Sequence, residues 1–253
     1  LIMGGAAEPY QKPELALINN YLMAGRPILI LFDSAKGSIA GPSDILDNLG
    51  WKLGAEFVFN ILTTPNGPMV STDQATVANT FSTESDMTRI FGTNRSVLFF
   101  RPHPLEPKKV MNQNIQPEVL VKTSQQTVGL VKIETTDYEG KPRSFDLGLH
   151  FKVKYLTSQK DTDLVIFSDV NLASNQYFNQ TSNKDLLLNA VAFLAKETDL
   201  VALAPKEPLA TKIKMPGPEF NTYFKYILVG LFFPMPVVFL VLSLVVWLRR
   251  RHA

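Results

Sequence analysis

Near the start of the chain, two short apolar runs flank a segment in which apolar residues recur at helical spacing. The opening letters "LIMGG" predict a strand that runs into a glycine loop. Leu15, Ile18 and Leu22 recur at helical spacing, and Gly25 marks the expected end of that helix. The run "PILILF" at residues 27–32 predicts a buried strand of the parallel kind. This order predicts a βαβ unit, and so an α/β fold with a parallel-type sheet flanked by helices, Rossmann-like or amidotransferase-like.

The middle of the chain is predicted to hold more strands than helices. The segment "GPSDILDNLG" at residues 41–50 predicts a short helix that Ser43 or Asp44 caps. Three further segments, "AEFVFNIL", "SVLFFRP" and "VLVKTSQQTVGLVKIET", predict strands because they are rich in branched and aromatic residues.

The stretch after residue 160 repeats the order of strand, loop and helix. Leu164–Phe167 predicts a buried strand that ends in a polar loop. Asn183 is expected to cap the helix that follows. The predicted apolar face of that helix consists of Leu186, Leu187, Ala190, Val191 and Leu194.

A long apolar segment, Tyr226–Leu248, lies near the end of the chain and is followed by Arg249–Arg251. Its 23 residues carry no charge. As a helix they would reach roughly 34 Å, enough to cross a hydrocarbon core of about 30 Å. The segment therefore predicts one C-terminal transmembrane helix. The arginines predict a cytoplasmic C-terminus, which places residues 1–222 outside the cytoplasm.

Three residues within this segment suggest a contact with a partner helix. Pro234 and Pro236 remove backbone donors, and a neighbouring helix can satisfy the carbonyls that they leave unpaired. Gly230 would allow close approach of two backbones on the same side. A kinked anchor without a partner is the alternative, since proline is common in membrane helices.

The predicted organisation has three regions. Residues 1–204 form an extracytoplasmic α/β domain, residues 205–222 a proline-rich stalk, and residues 223–253 a membrane helix with a basic cytoplasmic tail. Because export of the domain requires a leader or an upstream span, and Leu1 opens a predicted strand, we expect the native chain to include an earlier part of this domain.

Charge and composition narrow the classes of partner. The net charge is +2, but without Arg249–Arg251 the remaining 22 Lys and Arg residues oppose 23 Asp and Glu residues. The near-neutral domain predicts no nucleic-acid partner. Cysteine is absent from the sequence, which excludes disulfides and thiolate metal sites.

No catalytic or metal-binding motif is apparent in the sequence. His103 lies between two prolines and is predicted to lie in a surface loop. His150 lies in a predicted strand, and His252 lies in the tail. None has the spacing of a metal site, and the sequence has neither a Gly-x-Ser-x-Gly elbow nor a phosphate-binding loop. We therefore expect a protein that is not an enzyme, with no catalytic residues, no metal and no cofactor.

Two aspartates follow predicted buried strands, where α/β sheets place ligand sites. Asp33 and Asp169 either contribute to such a site or cap the turn that follows each strand. The loop after Asp169 offers further candidate binding residues, namely Asn171, Ser174 and Asn175. The pair Tyr177–Phe178 beside it is expected to belong to the core or to form a contact surface.

The segment 163–208 resembles the GldG-like auxiliary proteins of ABC-2-type transporters, which include gliding-motility proteins. Their pattern is a strand, Gly/Ser-Asp-x-x-x-Ala-Ser-Asn, and an Asn-x-Asp-Leu-x-Leu-Asn-Ala helix. Looser similarity covers "LIMGGAAEPYQKPELALINNYLMAGRPILILFD" and "LVKTSQQTVG". This chain matches the pattern at Ser168, Asp169, Ala173, Ser174, Asn175, Asn183, Asp185, Leu186, Leu188, Asn189 and Ala190.

The resemblance implies a non-catalytic, extracytoplasmic component in the bacterial inner membrane. It would act beside an ABC-2-type permease and a cytoplasmic ATPase, in export or gliding motility, and bind a substrate or an envelope partner. One alternative is a membrane-anchored solute- or glycan-binding module without a dedicated ATPase. The other is an amidotransferase-like enzyme, against which the lack of cysteine and of a serine elbow argues.

Overall fold

The structure is a computed structural model, and it divides into two compact units, Leu1–Pro205 and Lys206–Ala253. The described residues are 1–6, 8–33, 42–65, 67–71, 74–108, 115–131, 141–154, 161–197, 225–226, 229 and 234–251.

The first unit is a mixed α/β structure in which strands predominate. Its helices are α1 (Lys12–Met23), α2 (Ser43–Asn48) and α3 (Asn183–Leu194), with a 3₁₀ helix at Val170–Ala173. Its strands are β1 (Ile2–Gly4), β2 (Ile28–Leu31), β3 (Trp51–Leu53), β4 (Phe57–Thr64), β5 (Gly67–Val70), β6 (Ala75–Phe81), β7 (Val97–Phe100), β8 (Leu105–Pro107), β9 (Ile115–Thr123), β10 (Thr127–Leu130), β11 (Asp146–Lys154) and β12 (Asp161–Phe167).

A seven-stranded sheet with the order β1-β2-β12-β11-β9-β6-β7 forms the centre of this unit. The α/β class predicted from the sequence is confirmed. Only β1, β2 and β12 are parallel, whereas every pairing from β12 to β7 is antiparallel. The predicted parallel-type sheet therefore describes three strands of seven. One reason is that only six residues separate β11 from β12, too few for the crossover that a parallel pair requires.

The predicted βαβ unit is present as β1, α1 and β2. Pro13 lies in the first turn of α1, and the Gln11 N–H donates to the Glu14 carboxylate at 2.7 Å. Gly25 adopts a φ of +75° just after the helix, a conformation that glycine reaches without steric cost. Every residue of β2 is buried, which explains why Ile28–Leu31 is apolar without alternation.

Two apolar cores lie on opposite faces of the large sheet. Leu29 and Leu31 of β2 belong to one core, whereas Ile28 and Ile30 belong to the other, as the two-residue period of a strand requires. Helix α3 contributes to the first core, and α1 and α2 contribute to the second. The sheet is thus flanked by helices, as predicted.

Two local predictions are wrong. Neither Ser43 nor Asp44 caps α2, because Pro42 occupies the capping position and makes no side-chain hydrogen bond. His103 is not a surface residue but is 3% exposed. Its ring packs 4.3 Å from that of Phe57, and its Nδ1 lies 2.9 Å from the carbonyl oxygen of Gly54. Long-range packing, which a Pro-His-Pro sequence does not reveal, buries this loop.

The second unit contains helix α4, Pro234–Arg251. Among the described residues, no helix combines the length and the apolar character needed to cross a membrane. The predicted span Tyr226–Leu248 differs from α4 in its bounds, because α4 includes Arg249–Arg251 in its last turn. Pro234 and Pro236 are the first and third residues of α4 as the structure describes it. Gly230 lies outside the described residues.

Candidate functional site

The outer edge of β7 is satisfied by side chains instead of by another strand. Strand β7 pairs with β6 on one side. The Leu98 N–H donates to Asn183 Oδ1 at 2.8 Å, and Asn183 Nδ2 donates to the Leu98 carbonyl at 3.0 Å. The Phe100 N–H donates to Asp169 Oδ2 at 2.5 Å. Unpaired edge groups are costly when buried, so these contacts close the edge.

Asn183 therefore has a different role from the one predicted. It is the first residue of α3, and no side chain caps that helix. Its fully buried carboxamide contacts β7, and Nδ2 also lies 3.0 Å from the carbonyl oxygen of Tyr177. We call Asp169 and Asn183, with the three β7 backbone groups that they bind, the edge clasp.

Further contacts continue the edge clasp along the segment that leads into β7. The Ser182 N–H donates to the Ser96 carbonyl at 3.0 Å, and Arg95 pairs with Asp185 at 2.6 Å. Asn189 Nδ2 donates to the Met87 carbonyl at 3.0 Å. The polar residues Asp185 and Asn189 of the GldG-like pattern thus hold α3 against the chain before β7.

Asp169 lies in a buried and hydrogen-bonded position. Its Oδ1 accepts from the backbone N–H and from the side chain of Asn171, both at 2.8 Å, so it caps the 3₁₀ helix Val170–Ala173. Burial is the largest cause of a pKa raised to about 6, although the hydrogen bonds from Phe100 and Asn171 oppose that shift and the charge of Asp33 adds to it. The structure thus brings Asp33, Asp169 and Asn171 close together and supports the capping alternative for Asp169.

The other candidate binding residues in this loop have structural or exposed positions. The carbonyl of Ser174 accepts a hydrogen bond from the backbone N–H of Phe178 at 2.8 Å, which closes the turn that contains Tyr177. Asn175 is exposed. Tyr177 and Phe178 are both half-buried: Phe178 packs against the core, and Tyr177 lies 5.5 Å from the ring of Phe100.

An open groove of about 800 Å³ lies over β6 and β7, next to the edge clasp. Its floor is formed by two cross-strand pairs, Ala75 with Phe100 and Val77 with Leu98. The groove is lined by Asn60, Leu62, Ser71, Gln74, Ala75, Val77, Leu98, Phe100, Gln176 and Tyr177.

Asn60 of β4 closes the other edge of this floor. Strand β6 pairs with β9 only from Ala78 onward. Ahead of that point Asn60 Nδ2 donates to the Ala75 carbonyl, and the Val77 N–H donates to Asn60 Oδ1, both at 3.3 Å. Two asparagine carboxamides, Asn60 and Asn183, therefore occupy the backbone groups on the two sides of the β6–β7 ribbon.

Sequence reasoning did not identify the groove. It singled out Tyr177 only as core or contact surface, and it assigned no role to Phe100, Asn60, Gln74 or Gln176. The floor residues are mainly apolar, and so are the buried residues with which they alternate, except Thr76. The sequence thus carries no polar–apolar contrast that would mark one face as a binding surface.

A second polar network lies on the large sheet beneath the C-terminal half of α3. His150 Nε2 lies 2.9 Å from Asp163 Oδ1, and His150 Nδ1 lies 3.4 Å from Glu118 Oε2. The hydrogen bond from His150 is the largest cause of the lowered pKa of Asp163. The imidazole also packs edge-on against Phe193 at 5.2 Å. In the part of the chain that the structure describes, no group of three or more His, Cys, Asp or Glu side chains is arranged to hold a metal ion.

Comparison with solved structures gives distant similarities in fold. The chain resembles the structure described as "mmIFT52 N-terminal domain", with a TM-score of 0.56 and 13% identity over 76% of this chain and 75% of that one. A crystal structure of a ThuA-like protein from Bacteroides uniformis has a TM-score of 0.40 and 14% identity, over 76% of this chain and 67% of that one. The first likeness shows a shared fold. The sequence matches no protein-family model and has no significant match among curated proteins.

Proposed function

We propose that this chain is a non-catalytic auxiliary subunit of an ABC-2-type transporter complex, acting in export or gliding motility. Its α/β domain lies outside the cytoplasm and binds a transported substrate or an envelope partner. The observation that carries the proposal is the use of the GldG-like polar residues. Asp169 and Asn183 form the edge clasp, which holds Leu98 and Phe100 in the floor of a groove whose described lining residues carry no formal charge.

The geometry of Asp169 favours a structural role, in the edge clasp and as a cap, over an acid–base role. Both of its carboxylate oxygens are engaged, one by the Phe100 N–H and the other by Asn171. The groove next to it contains no formally charged side chain among its ten lining residues. A surface with donors, acceptors and apolar floor but no charge is suited to hold a ligand without transforming it.

Helix α4 supports attachment to the bacterial inner membrane. Its described apolar side chains are exposed, from Val237 to Leu248, and Arg249–Arg251 follow them. The helix and the apolar residues before it form the proposed anchor, with Gly230, Pro234 and Pro236 against a permease helix. A reporter that is active only outside the cytoplasm should give no signal when fused after Ala253, and a strong signal there would reverse the topology.

Affinity purification from the native host tests the complex. The tagged full chain, extracted in mild detergent, is expected to retain an ABC-2-type permease and a cytoplasmic ATPase, identified by mass spectrometry. An unrelated tagged single-span protein is the control. Recovery of neither component, in a preparation where the permease and ATPase stay bound to each other, would overturn the proposal.

A span exchange tests how the complex is held. Replacing Tyr226–Leu248 by an unrelated single span is expected to keep the chain in the membrane and to abolish recovery of the permease. If the exchanged chain still recovers the permease, the domain within residues 1–222 carries the assembly.

The groove also favours a second candidate, a membrane-anchored solute- or glycan-binding module without a dedicated ATPase. The two candidates differ in one measurement. The module would bind its ligand through the groove and would be purified without permease or ATPase.

A further inference from the structure

We propose that the groove over β6 and β7 binds a neutral oligosaccharide, with Phe100 and Tyr177 as its stacking surface. The inference rests on the proposed binding function and names the ligand class of the same site. The volume of about 800 Å³ falls within the range of about 300–1,000 Å³ typical of ligand sites, which suits a short oligosaccharide.

The aromatic pair supplies the apolar contact that a sugar ring requires. The rings of Phe100 and Tyr177 lie 5.5 Å apart with an interplanar angle of 36°. One face of a pyranose ring presents C–H groups, which pack on aromatic carbon, while the phenol hydroxyl remains able to hydrogen-bond. Burial, and then the charge of Asp169, raise the pKa of Tyr177, so its hydroxyl stays protonated.

The rim supplies uncharged hydrogen-bonding groups around this apolar centre. Gln74 and Gln176 contribute carboxamides, each with two donors and an acceptor. Neighbouring sugar hydroxyls both donate and accept hydrogen bonds, and a carboxamide can do the same. Their recognition therefore requires no charged group. The guanidinium of Arg101 packs 5.4 Å from the centroid of the Phe100 ring. Arg101 itself does not line the groove.

The closed backbone edges disfavour an extended peptide in this groove. Peptides that add to a sheet gain affinity from main-chain hydrogen bonds to a free edge. The N–H and carbonyl of Leu98 are bound by Asn183, and the N–H of Phe100 is bound by Asp169. Asn60 binds the Ala75 carbonyl and the Val77 N–H. Recognition in the groove is therefore left to side chains.

The edge clasp positions the stacking surface. Asp169 fixes the backbone of Phe100, and Asn183 binds the carbonyl of Tyr177 as well as both backbone groups of Leu98. One side chain thus connects the floor of the groove to its aromatic wall. Asn183 is a positioning residue in this arrangement and makes no contact with the ligand.

The test uses the purified full chain in lauryl dimethylamine oxide, because sugar-based detergents would compete for the groove. Binding is measured on an array of neutral glycans and then by calorimetry with the strongest ligand, with maltohexaose, cellohexaose and a polyglutamate peptide as fixed probes. The expected result is binding of at least one neutral oligosaccharide and none of the peptide.

Variants assign the binding to the groove. Tyr177→Ala is expected to weaken the affinity at least about tenfold, which corresponds to about 1.4 kcal/mol, whereas Tyr177→Phe keeps the ring and loses less. Gln176→Ala is expected to weaken it severalfold, and its matched control is Gln125→Ala, another exposed glutamine outside the groove. Gln176 is exposed, so its removal leaves the fold intact and keeps the test valid if Tyr177→Ala fails to fold.

Two outcomes would overturn the inference. One is the absence of binding to every neutral glycan by the folded chain, and the other is binding that neither Tyr177→Ala nor Gln176→Ala weakens. Both leave the transporter proposal standing, because recovery of the permease and ATPase is measured separately. Conversely, a chain that binds glycans but recovers neither component refutes only the transporter proposal.

Discussion

Asn183 and Leu98 are joined by two hydrogen bonds of opposite direction, as neighbouring residues in a β-sheet are. The carboxamide accepts from the Leu98 N–H and donates to the Leu98 carbonyl. A carboxamide has the same donor and acceptor as a peptide group, so one side chain takes the place of a strand neighbour. The relationship explains why an asparagine opens α3 without capping it.

Removing this carboxamide should destabilise the chain. Asn183→Ala is expected to lower the free energy of unfolding by roughly 2–4 kcal/mol, because each buried backbone group left without a partner costs about 1–3 kcal/mol. Urea unfolding of the full chain, followed by near-ultraviolet circular dichroism, measures the change. Asn179→Ala, at an exposed asparagine in the same loop, should change it by less than about 0.5 kcal/mol. Equal effects of the two substitutions would contradict the edge clasp.

Asp169 should make stability depend on pH in an unusual direction. Its pKa is raised to about 6 from an ordinary 3.8, so between these values the folded chain holds a proton that the unfolded chain has released. Its contribution to the free energy of unfolding is therefore fully present below about pH 4 and is lost as the pH rises through about 6.

The variant Asp169→Asn isolates that contribution. The stability advantage of the wild type over the variant should shrink by about 2–3 kcal/mol between pH 4 and pH 7. Urea unfolding of both proteins across this range measures the difference, in which the titration of other groups cancels. A constant difference would show that the carboxyl titrates alike in the folded and unfolded chains.

The His150 network should respond to removal of its imidazole. His150→Leu is expected to raise the pKa of Asp163 toward its ordinary value, since the hydrogen bond from His150 is the largest cause of the lowering. The stabilising contribution of Asp163 is present above about pH 4 and is lost as the pH falls through the lowered pKa. Carboxyl NMR titration measures the pKa of Asp163 in the wild type and the variant. Asp146 lies on the same strand as His150, and burial raises its pKa. It is the internal control, and its pKa should not change.

Gly148 should tolerate no side chain. A Cβ at this position would lie 2.9 Å from the Phe167 ring and 3.2 Å from Val121 Cβ, and both neighbours are fully buried. Gly148→Ala is expected to cost about 1–3 kcal/mol of stability by overpacking. Gly4→Ala is the control, because its Cβ would meet Val170 at an ordinary 3.4 Å. A thermal unfolding midpoint that falls equally in both variants would contradict this account.

Local patterns were sufficient to predict the α/β class and the strand–helix–strand unit at the start of the chain. The run Ile28–Leu31 is apolar throughout because both faces of β2 are buried, and consecutive residues of the sequence indicate that burial. No such local pattern indicates the mixed direction of the sheet. Strand direction depends on which strands meet, and β9 and β11 carry no residue that marks an antiparallel neighbour.

The candidate site was predicted only in part, for a similar reason. Asp169 as a cap could be inferred from its place after a buried strand, and the bond to Asn171 has that local character. The bond from Phe100 to Asp169 spans 69 positions of sequence. Neither that pairing nor the contact between Asn183 and Leu98 has any local indicator, so the groove that they support could not be found from the sequence.

The edge clasp makes the two ends of the large sheet unequal. At β7 the N–H and carbonyl of Leu98 and the N–H of Phe100 are already bound by side chains of the same chain. Among the described strands β1 pairs only with β2, and its Ile2 is 60% exposed. A strand added at β7 would have to displace the edge clasp, whereas the described strands place no such side-chain clasp on β1. The clasp thus protects the groove side of the sheet against strand addition.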